Sequence, residues 1–325
     1  MVTYQSMSGY VSEAISVMNR SKMVLVTGGA GFIGSHLVDR LVSEGYAVRV
    51  VDDLSTGRLE NIGDHLSRGS VDFVQGDIRD SELIRKCVDG VNVVVHLAAL
   101  TSVPFSVKNP DLTFDVNVSG SLNLMRSCVK EGVERFVFAS TCAVFGDPEF
   151  LPVNENAQVN PISPYAESKL LAERYCSGFY ERGVLESVVL RFFNVFGPRQ
   201  GLSEYSGVIT RFVDRCRRGL PLVVYGDGLQ TRDFVSVFDV VEGVLAAVRS
   251  GGVEGEVFNI GSGKATSLNV LAKAVLELAG VDLEIHHEKP RAGDIKDSYA
   301  DISKAKRLLG FEPRVTLREG LKAIV

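Results

Sequence analysis

The stretch of residues 24–52 constrains the fold of this chain more than any other part of the sequence. It opens with a short apolar run, which is typical of a strand buried on both faces. A turn follows in which Gly28, Gly31 and Gly34 stand three residues apart, and an amphipathic helix comes after it. A second apolar run then ends at Asp52. This order of strand, glycine turn, helix, strand and acid predicts the start of a nucleotide-binding α/β sheet.

The same turn predicts the ligand. Glycines let the backbone approach a pyrophosphate closely, and the N–H groups at the start of the helix face its phosphates. Asp52 follows Gly34 at close to the spacing of a carboxylate that binds the adenosine ribose diol. A carboxylate there accepts the ribose hydroxyls of NAD and repels the additional phosphate of NADP, and neither Asp53 nor Leu54 offers a basic replacement. The sequence therefore predicts NAD as the cofactor.

Composition and charge exclude several classes of function. The 325 residues are enough for a substantial core, and a net charge of −5 with mixed signs argues against nucleic acid or a membrane as partner. The five cysteines are scattered without a C-x-x-C pair, which indicates reduced thiols, a cytoplasmic location and no metal site. No apolar run reaches membrane-spanning length. Residues 1–22 lack the pattern of a secretion signal, and we interpret them as a peripheral extension.

Beyond Asp52 the chain alternates short apolar runs with helical patterns, which predicts an α/β fold with a doubly wound parallel sheet of the Rossmann type. Asp77 lies just after one run, where it could accept the adenine amino group, and a plain turn aspartate is the alternative. Small residues after His96 leave room for a ligand to lie across the sheet. Further strands are expected at 71–75, 91–97, 135–140 and 184–190, and two long helices at 110–131 and 163–182.

Polar residues on these elements indicate acid–base chemistry. His96 is interpreted as a hydrogen-bonded core residue, and Asn117 either as solvated or as bonded inward to the backbone of the site. Thr141 stands at a strand end, and Tyr165 and Lys169 share one face of the next helix. A neighbouring ammonium and the nicotinamide ring should lower the pKa of a phenol from ~10, so that Tyr165 takes an alcohol proton which Thr141 shares. This pattern predicts alcohol oxidation with hydride transfer to NAD.

At this point the sequence resembles the extended short-chain dehydrogenase/reductase superfamily, from Met23 to the C terminus. The resemblance rests on residues 27–34, Asp52, residues 77–78, residues 96–99, Thr141, Tyr165 and Lys169. It implies a homodimer that pairs the two long helices, and Thr141, Tyr165 and Lys169 as catalytic residues. The implied cofactor contacts are Gly28, Gly31, Phe32, Ile33, Gly34, Asp52, Asp53, Asp77, Ile78, Leu97, Ala98, Ala99, Tyr165, Lys169 and Phe193.

Later segments resemble the nucleotide-sugar members of that superfamily, which implies a UDP-sugar substrate. Two arginines, Arg232 and Arg291, resemble residues that bind the diphosphate with forked guanidinium groups. Other arginines are interpreted as surface charge: Arg199, Arg211, Arg217 and Arg218. The implied substrate contacts are Ser102, Thr141, Tyr165, Asn194, Val208, Val223, Tyr225, Arg232, Arg291, Asp294 and Ser298.

The residues after Thr141 narrow the reaction. Related sugar dehydratases carry Asp-Glu there and decarboxylases often a glutamate, whereas this chain has Cys142 and Ala143. The reaction that remains is reversible oxidation at sugar C4, which is 4-epimerisation. In UDP-galactose 4-epimerases, a small residue four positions after the aspartate at 294 admits N-acetylated sugars. Ser298 thus implies UDP-GlcNAc and UDP-GalNAc besides UDP-Glc and UDP-Gal, while a shift of one residue would place Tyr299 there.

We expect an NAD-binding domain at 23–195, completed by 236–261, and a smaller α+β lobe for the nucleotide sugar from 196–235 and 262–325. Two other functions stay open. One is an epimerase or decarboxylase-like enzyme acting on UDP-glucuronate, and the other is a catalytically silent NAD-binding scaffold or sensor. The intact set of hydroxyl, phenol and ammonium argues against the silent scaffold.

Overall fold

The computed structural model describes residues 22–202, 207–290 and 295–325. The strands in chain order are β1 (Met23–Thr27), β2 (Ala47–Asp52), β3 (Val71–Gln75), β4 (Val93–His96), β5 (Arg135–Thr141), β6 (Glu186–Phe192), β7 (Asn194–Phe196), β8 (Leu222–Tyr225), β9 (Thr231–Arg232), β10 (Phe234–Ser236), β11 (Val257–Ile260), β12 (Thr266–Ser267), β13 (Ile285–Glu288) and β14 (Asp297–Ser298).

The α-helices of the described ranges are α1 (Phe32–Ser43), α2 (Gly63–Ser67), α3 (Ser81–Val88), α4 (Val103–Lys108), α5 (Pro110–Phe114), α6 (Ser121–Glu131), α7 (Pro164–Glu181), α8 (Val208–Arg217), α9 (Val237–Arg249), α10 (Leu268–Ala279), α11 (Ser303–Leu309) and α12 (Leu317–Lys322). None of the helices in these ranges is long and apolar enough to cross a membrane.

The main sheet has seven parallel strands in the order β11-β6-β5-β4-β1-β2-β3. One apolar core lies between the sheet and α1, where Leu37 and Leu41 meet Val26 and Val50. The other face packs against α6, whose Leu124 and Met125 join a second core. Helices on both faces and strands buried on both sides confirm the doubly wound parallel sheet. The strand order reverses between β1 and β4, which opens a crevice at their carboxyl ends.

Several expected elements differ in detail, among them the fourth strand, which is Val93–His96 and not 91–97. The long helix at 110–131 is interrupted by a π-helical segment, Asp115–Gly120. Such a segment re-aims side chains, and here it carries Asn117 toward the loop after β4. The sixth strand begins at Glu186 and not at residue 184, because Val184 still bonds back to Phe179 at the end of α7.

The remaining strands form small separate sheets beside the carboxyl edge of the main sheet: β10-β7, β12-β9-β14 and β13-β8. Asp233 lies between two of these sheets and is fully buried. Its carboxylate accepts hydrogen bonds from Ser262 N (2.7 Å), Gly263 N (2.9 Å) and Ala300 N (3.1 Å). One carboxylate therefore joins three loops that lie next to the crevice. The division into a domain and a lobe stays a prediction.

Candidate active site

A cavity of about 480 Å³ lies at the carboxyl ends of the main-sheet strands. Every residue assigned to the cofactor from the sequence contributes to its wall, and so does Thr141. These residues lie at or after the ends of six strands of the sheet, β1 to β6, and on the first turns of α7, so the parallel packing of the strands brings most of them together. Further lining residues that the sequence analysis did not assign include Ser55, Thr56, Gly76, Arg79, Thr101, Leu112, Val116 and Gln200.

The glycine turn is shaped so that side chains are excluded. Gly28 has a φ of +71°, and a Cβ there would lie 2.8 Å from Ala98 N. A Cβ at Gly34 would lie 2.1 Å from Gly28 O, so that α1 could not pack against its strand. The N-cap residue Gly31 provides no side-chain acceptor, and the first turn of α1 carries no acid. Open N–H groups in a narrow backbone turn fit a pyrophosphate.

Asp52 ends β2 at the wall of the cavity and is 6% exposed. Its carboxylate accepts hydrogen bonds from Ala30 N (3.0 Å) and Leu54 N (2.9 Å), which fix its orientation beside the turn. Burial is the main cause that raises its pKa, and the two backbone bonds oppose this. Each carboxylate oxygen has a second lone pair, so both can still accept a ribose hydroxyl.

Asp77 lines the cavity beyond β3, but its carboxylate is already occupied in part. Arg79 binds it through Nη2 (2.6 Å to Oδ2) and Nε (3.0 Å to Oδ1), and this bond is the main cause that lowers the pKa of Asp77. Arg79 also contacts Asp115 through Nη1 at 2.6 Å. The structure thus gives Asp77 a structural ion pair, and its contact with adenine stays a prediction.

Thr141, Tyr165 and Lys169 line the opposite end of the same cavity. Tyr165 and Lys169 are almost fully buried on the first turns of α7. Burial raises the pKa of Tyr165 to about 12, while a hydrogen bond with Thr141 works in the other direction. Burial lowers the pKa of Lys169 to about 8, and the nearby Cys176 and Glu173 oppose that change. The Lys169 ammonium lies 4.2 Å from the centroid of the Phe138 ring.

These directions correct one expectation. The sequence predicted that Lys169 lowers the pKa of the phenol, whereas in the protein alone the pKa of Tyr165 is raised. The physical reason is desolvation, because a buried phenolate loses its hydration. The positive ring of the oxidised nicotinamide is the remaining charge that can favour the phenolate.

The backbone at Tyr165 is held by hydroxyl groups that the sequence analysis did not single out. Ser106 Oγ accepts a hydrogen bond from Tyr165 N (3.1 Å), and Ser168 Oγ donates to Tyr165 O (2.7 Å). Asn117 Nδ2 donates to Ser168 Oγ (3.0 Å) and to Leu100 O (2.9 Å). Asn117 therefore bonds inward to the backbone of the site, as one of the two interpretations expected.

His96 is a buried core residue, as expected. Its Nδ1 lies 2.6 Å from Thr27 Oγ1 and its Nε2 lies 2.8 Å from Ser121 Oγ. Since the Ser121 hydroxyl donates to Asn117 O, the Nε2 atom of the imidazole must be the donor to Ser121. Burial lowers its pKa to about 3, so the ring is neutral and belongs to the scaffold.

A second cavity, of about 640 Å³, opens beside the first. Five of the predicted substrate contacts line it, namely Asn194, Val208, Val223, Tyr225 and Arg232. Arg211, Arg215 and Arg218 also line it, although Arg211 and Arg218 were interpreted as surface charge. They share a face of α8 with Val208, at helical spacing that could have revealed them. Cationic and apolar walls together suit an anion attached to an aromatic base.

The other arginines behave as expected, since Arg199 pairs with Asp39 at 2.8 Å and Arg217 donates to Ile324 O near the C terminus. Ser102 accepts a hydrogen bond from Phe105 N (3.1 Å) as the N-cap of α4, and it lines neither cavity. Ser298 is buried in β14 opposite Arg232 and also lines neither. Arg291 and Asp294 lie outside the described residues.

A glycine turn built for a dinucleotide, with a phenol, a hydroxyl and an ammonium at one end of its cavity, defines a Rossmann-type enzyme that uses a nicotinamide cofactor. The chain belongs to the NAD dependent epimerase/dehydratase family, whose model matches residues 24–261. The family is NAD-dependent, in agreement with the cofactor predicted from Asp52.

Two relatives show the range of this likeness. The chain is 39% identical over 305 residues to a UDP-glucose 4-epimerase of Mycolicibacterium smegmatis, which covers 93% of this chain and 96% of that protein. It is also 38% identical over 319 residues to UDP-glucuronic acid decarboxylase 2 of Arabidopsis thaliana, covering 96% of this chain and 69% of that protein.

A solved structure agrees with the fold. The crystal structure of the UDP-glucose 4-epimerase of Thermus thermophilus in complex with NAD is 39% identical, with a TM-score of 0.85. The match covers 93% of this chain and 97% of that chain.

Proposed function

We propose that the chain catalyses NAD-dependent 4-epimerisation of UDP-hexoses. The observation that carries this proposal is the set of groups at the β5 end of the first cavity, where Thr141, Tyr165 and Lys169 meet. The carboxylates that line this cavity are Asp52, Asp53 and Asp77, which follow β2 and β3 at the other edge of the crevice. The β5 end thus offers groups that move one proton, which is the step of epimerisation that the protein's own side chains perform.

Cys142 supports the choice of reaction. It follows Thr141 in the 3-10 turn Cys142–Phe145, where the dehydratases and decarboxylases of the resemblance carry acids. Burial raises the pKa of its thiol to about 12. A thiol with that pKa stays protonated near neutral pH and is poorly matched to general acid or base work. At this position the chain therefore does not provide the acid or base that elimination of water requires.

In the proposed mechanism NAD, when bound, supplies a reversible acceptor for hydride. Tyr165 takes the proton of the C4 hydroxyl during oxidation and returns it during reduction, and Thr141 shares that proton. Lys169, one helical turn after Tyr165 and in the wall of the same cavity, would hold the nicotinamide ribose. The hydrogen bond that Ser106 accepts from Tyr165 N and the one that Ser168 donates to Tyr165 O hold the backbone of Tyr165 during both steps.

The substrate assignment rests on the second cavity. Arg232 and Arg211 offer guanidinium groups for the diphosphate, and Val208, Val223 and Tyr225 provide the wall for uracil. We include N-acetylated hexoses, since Ser298 is small and stands directly opposite Arg232. Arg291 and Asp294 remain assigned to the substrate as predictions.

The test is incubation of the purified protein with one UDP-sugar at a time, without added reductant. Conversion of UDP-galactose or UDP-GalNAc to the gluco isomer is the expected result. Turnover of UDP-glucuronate alone would contradict the proposal and favour the decarboxylase-like relatives. No turnover of any UDP-sugar with bound NAD would instead favour the silent scaffold.

Ser298→Tyr tests the size of the sugar pocket, with Tyr299→Phe as the matched control in the neighbouring position. The larger side chain should remove turnover of UDP-GalNAc and leave that of UDP-galactose, whereas the control should change neither. Equal turnover of both sugars by Ser298→Tyr would refute the role of residue 298.

We also propose the homodimer. Exposed apolar side chains lie on α4 and before α7, among them Val107 and Ile162, which are 62% and 55% exposed. Covering such side chains in an interface of helices is favourable. Analytical ultracentrifugation should show a dimer, and a monomer at micromolar concentration would contradict it.

A further inference from the structure

Glu173 is a carboxylate in an unusual place. It lies on α7 one helical turn after Lys169 and two turns after Tyr165, and it is only 5% exposed. Burying a carboxylate is costly unless charged or polar partners compensate for its lost hydration. Its partners therefore show what the group holds in place.

Glu173 binds two neighbouring strands at once. Arg191, near the end of β6, makes a forked pair with it, with Nη2 2.8 Å from Oε2 and Nε 3.1 Å from Oε1. Ser140, near the end of β5, donates its hydroxyl hydrogen to Oε1 of the same carboxylate. The group thus links α7, β5 and β6 at a single point.

The register of the sheet places this link directly before the proposed reacting groups. Ser140 pairs with Arg191, and the next pair along the strands is Thr141 with Phe192. Thr141 thus follows a residue bonded to Glu173, while Lys169 precedes Glu173 on the helix. Thr141 and Lys169 both line the first cavity.

The guanidinium of Arg191 is bound on its other side as well. Its Nη1 atom donates to Glu155 O (3.0 Å), and it lies 4.8 Å from the centroid of the Phe145 ring. A fully bonded buried ion pair is weak evidence for stability, since apolar groups often serve as well. Its position between the strand ends and the helix points to a role in geometry.

We propose that Glu173 is a positioning residue, whose carboxylate fixes Thr141 on its strand relative to Lys169 and Tyr165 on their helix. Rate depends steeply on such geometry, because a displacement of about 1 Å can reduce it ~10²-fold. Its negative charge also helps Lys169 to stay protonated despite burial. Glu173 itself lines neither cavity, so it acts through these neighbours.

The test compares Glu173→Gln with Glu254→Gln. Glu254 pairs with the buried Arg135 at the opposite end of β5, and it serves as the matched control. For Glu173→Gln we expect kcat with UDP-galactose to fall at least about tenfold while KM stays nearly unchanged. We further expect the pKa of Lys169 to fall, measured by NMR of ¹⁵N-lysine with Lys169→Met for assignment. Glu254→Gln should change neither.

A double variant separates positioning from folding. Glu173→Gln with Arg191→Met removes the arginine left without its partner, so the melting temperature should recover while kcat and the pKa of Lys169 do not. The double variant is also used for the kinetic and NMR measurements if Glu173→Gln alone fails to fold. The proposal would be overturned if kcat and the pKa of Lys169 both recovered in the double variant. It would also be overturned if both had wild-type values in Glu173→Gln.

The kinetic arm rests on the proposed function, whereas the NMR arm does not. If the wild type converts no UDP-sugar, the proposed function fails, and the pKa of Lys169 in the variants still decides the role of Glu173.

Discussion

Replacing Lys169 with methionine should make the protein more stable at neutral pH and inactive. Methionine has a similar length and fills the same buried space without charge, and its thioether can contact the Phe138 ring in place of the ammonium. Lys169 is 3% exposed, so its charge is held in the fold at a cost in hydration.

The magnitude follows from the pKa of Lys169. Burial lowers it from 10.5 to about 8, and this difference corresponds to about 3 kcal/mol at about 1.36 kcal/mol per pH unit. Losing the contact of the ammonium with Phe138 offsets part of it, by about 1–2 kcal/mol for a desolvated pair. We therefore expect Lys169→Met to raise the free energy of unfolding by about 1–2 kcal/mol.

The dependence on pH has a definite sign. Below pH 8 the lysine is protonated in both states, and the folded wild type carries the whole cost. Between pH 8 and 10.5 only the unfolded chain keeps the proton, so the contribution of this group to stability rises with pH. The advantage of Lys169→Met should thus be largest near pH 7 and vanish as the pH approaches 10.5. The buried cysteines are present in both proteins, so their titration cancels in the difference in unfolding free energy between Lys169→Met and the wild type.

The assay is urea unfolding of the cofactor-free proteins at several pH values from neutral to alkaline. Lys130→Met, an exposed lysine on α6, is the control and should show a small difference that does not vary with pH. A less stable Lys169→Met, or a gain that does not change with pH, would refute the reasoning. Activity should fall at least about 10²-fold with the loss of the ammonium.

Three further predictions concern the cavity. Tyr165→Phe should reduce sugar interconversion by about 10²–10⁴-fold without loss of NAD binding by calorimetry, and full activity would exclude the phenol as the acid–base group. Gly34→Ala should lower the free energy of unfolding in urea by about 1–3 kcal/mol and abolish NAD binding, because its Cβ would lie 2.1 Å from Gly28 O. The control Gly63→Ala, whose Cβ would have nothing within 4 Å, should keep both stability and NAD binding. Asp52→Asn should narrow the preference for NAD over NADP in binding titrations, since it removes the charge that repels the added phosphate, and an unchanged ratio would exclude that role.

The part of the site built from consecutive motifs could be predicted from the sequence. Strand ends of a parallel sheet converge on one edge, so Gly28, Ala98 and Thr141 had to meet once their strands were recognised. The spacing of Tyr165 and Lys169 fixed them to one helical face in the same way.

What the sequence could not provide depends on packing between distant segments. The raised pKa of Tyr165 results from burial, which a motif does not report. Arg211 belongs to the second cavity because α8 packs beside β8; its helical spacing from Val208 was a possible signal, but that spacing does not show which strand the helix contacts. The bonds of Glu173 require the register between β5 and β6, although an acid next to Lys169 on a buried face was a possible signal.

The edge strand of the main sheet has a consequence for how the protein is made. β11 (Val257–Ile260) pairs with Val189–Phe192 of β6, yet more than sixty residues separate the two strands in the chain, among them most of the segments that line the second cavity. Until β11 has left the ribosome, the apolar β6 strand has an open edge that could pair with another chain. A nascent protein that stalls before residue 257 should therefore need chaperone protection and accumulate in aggregates without it.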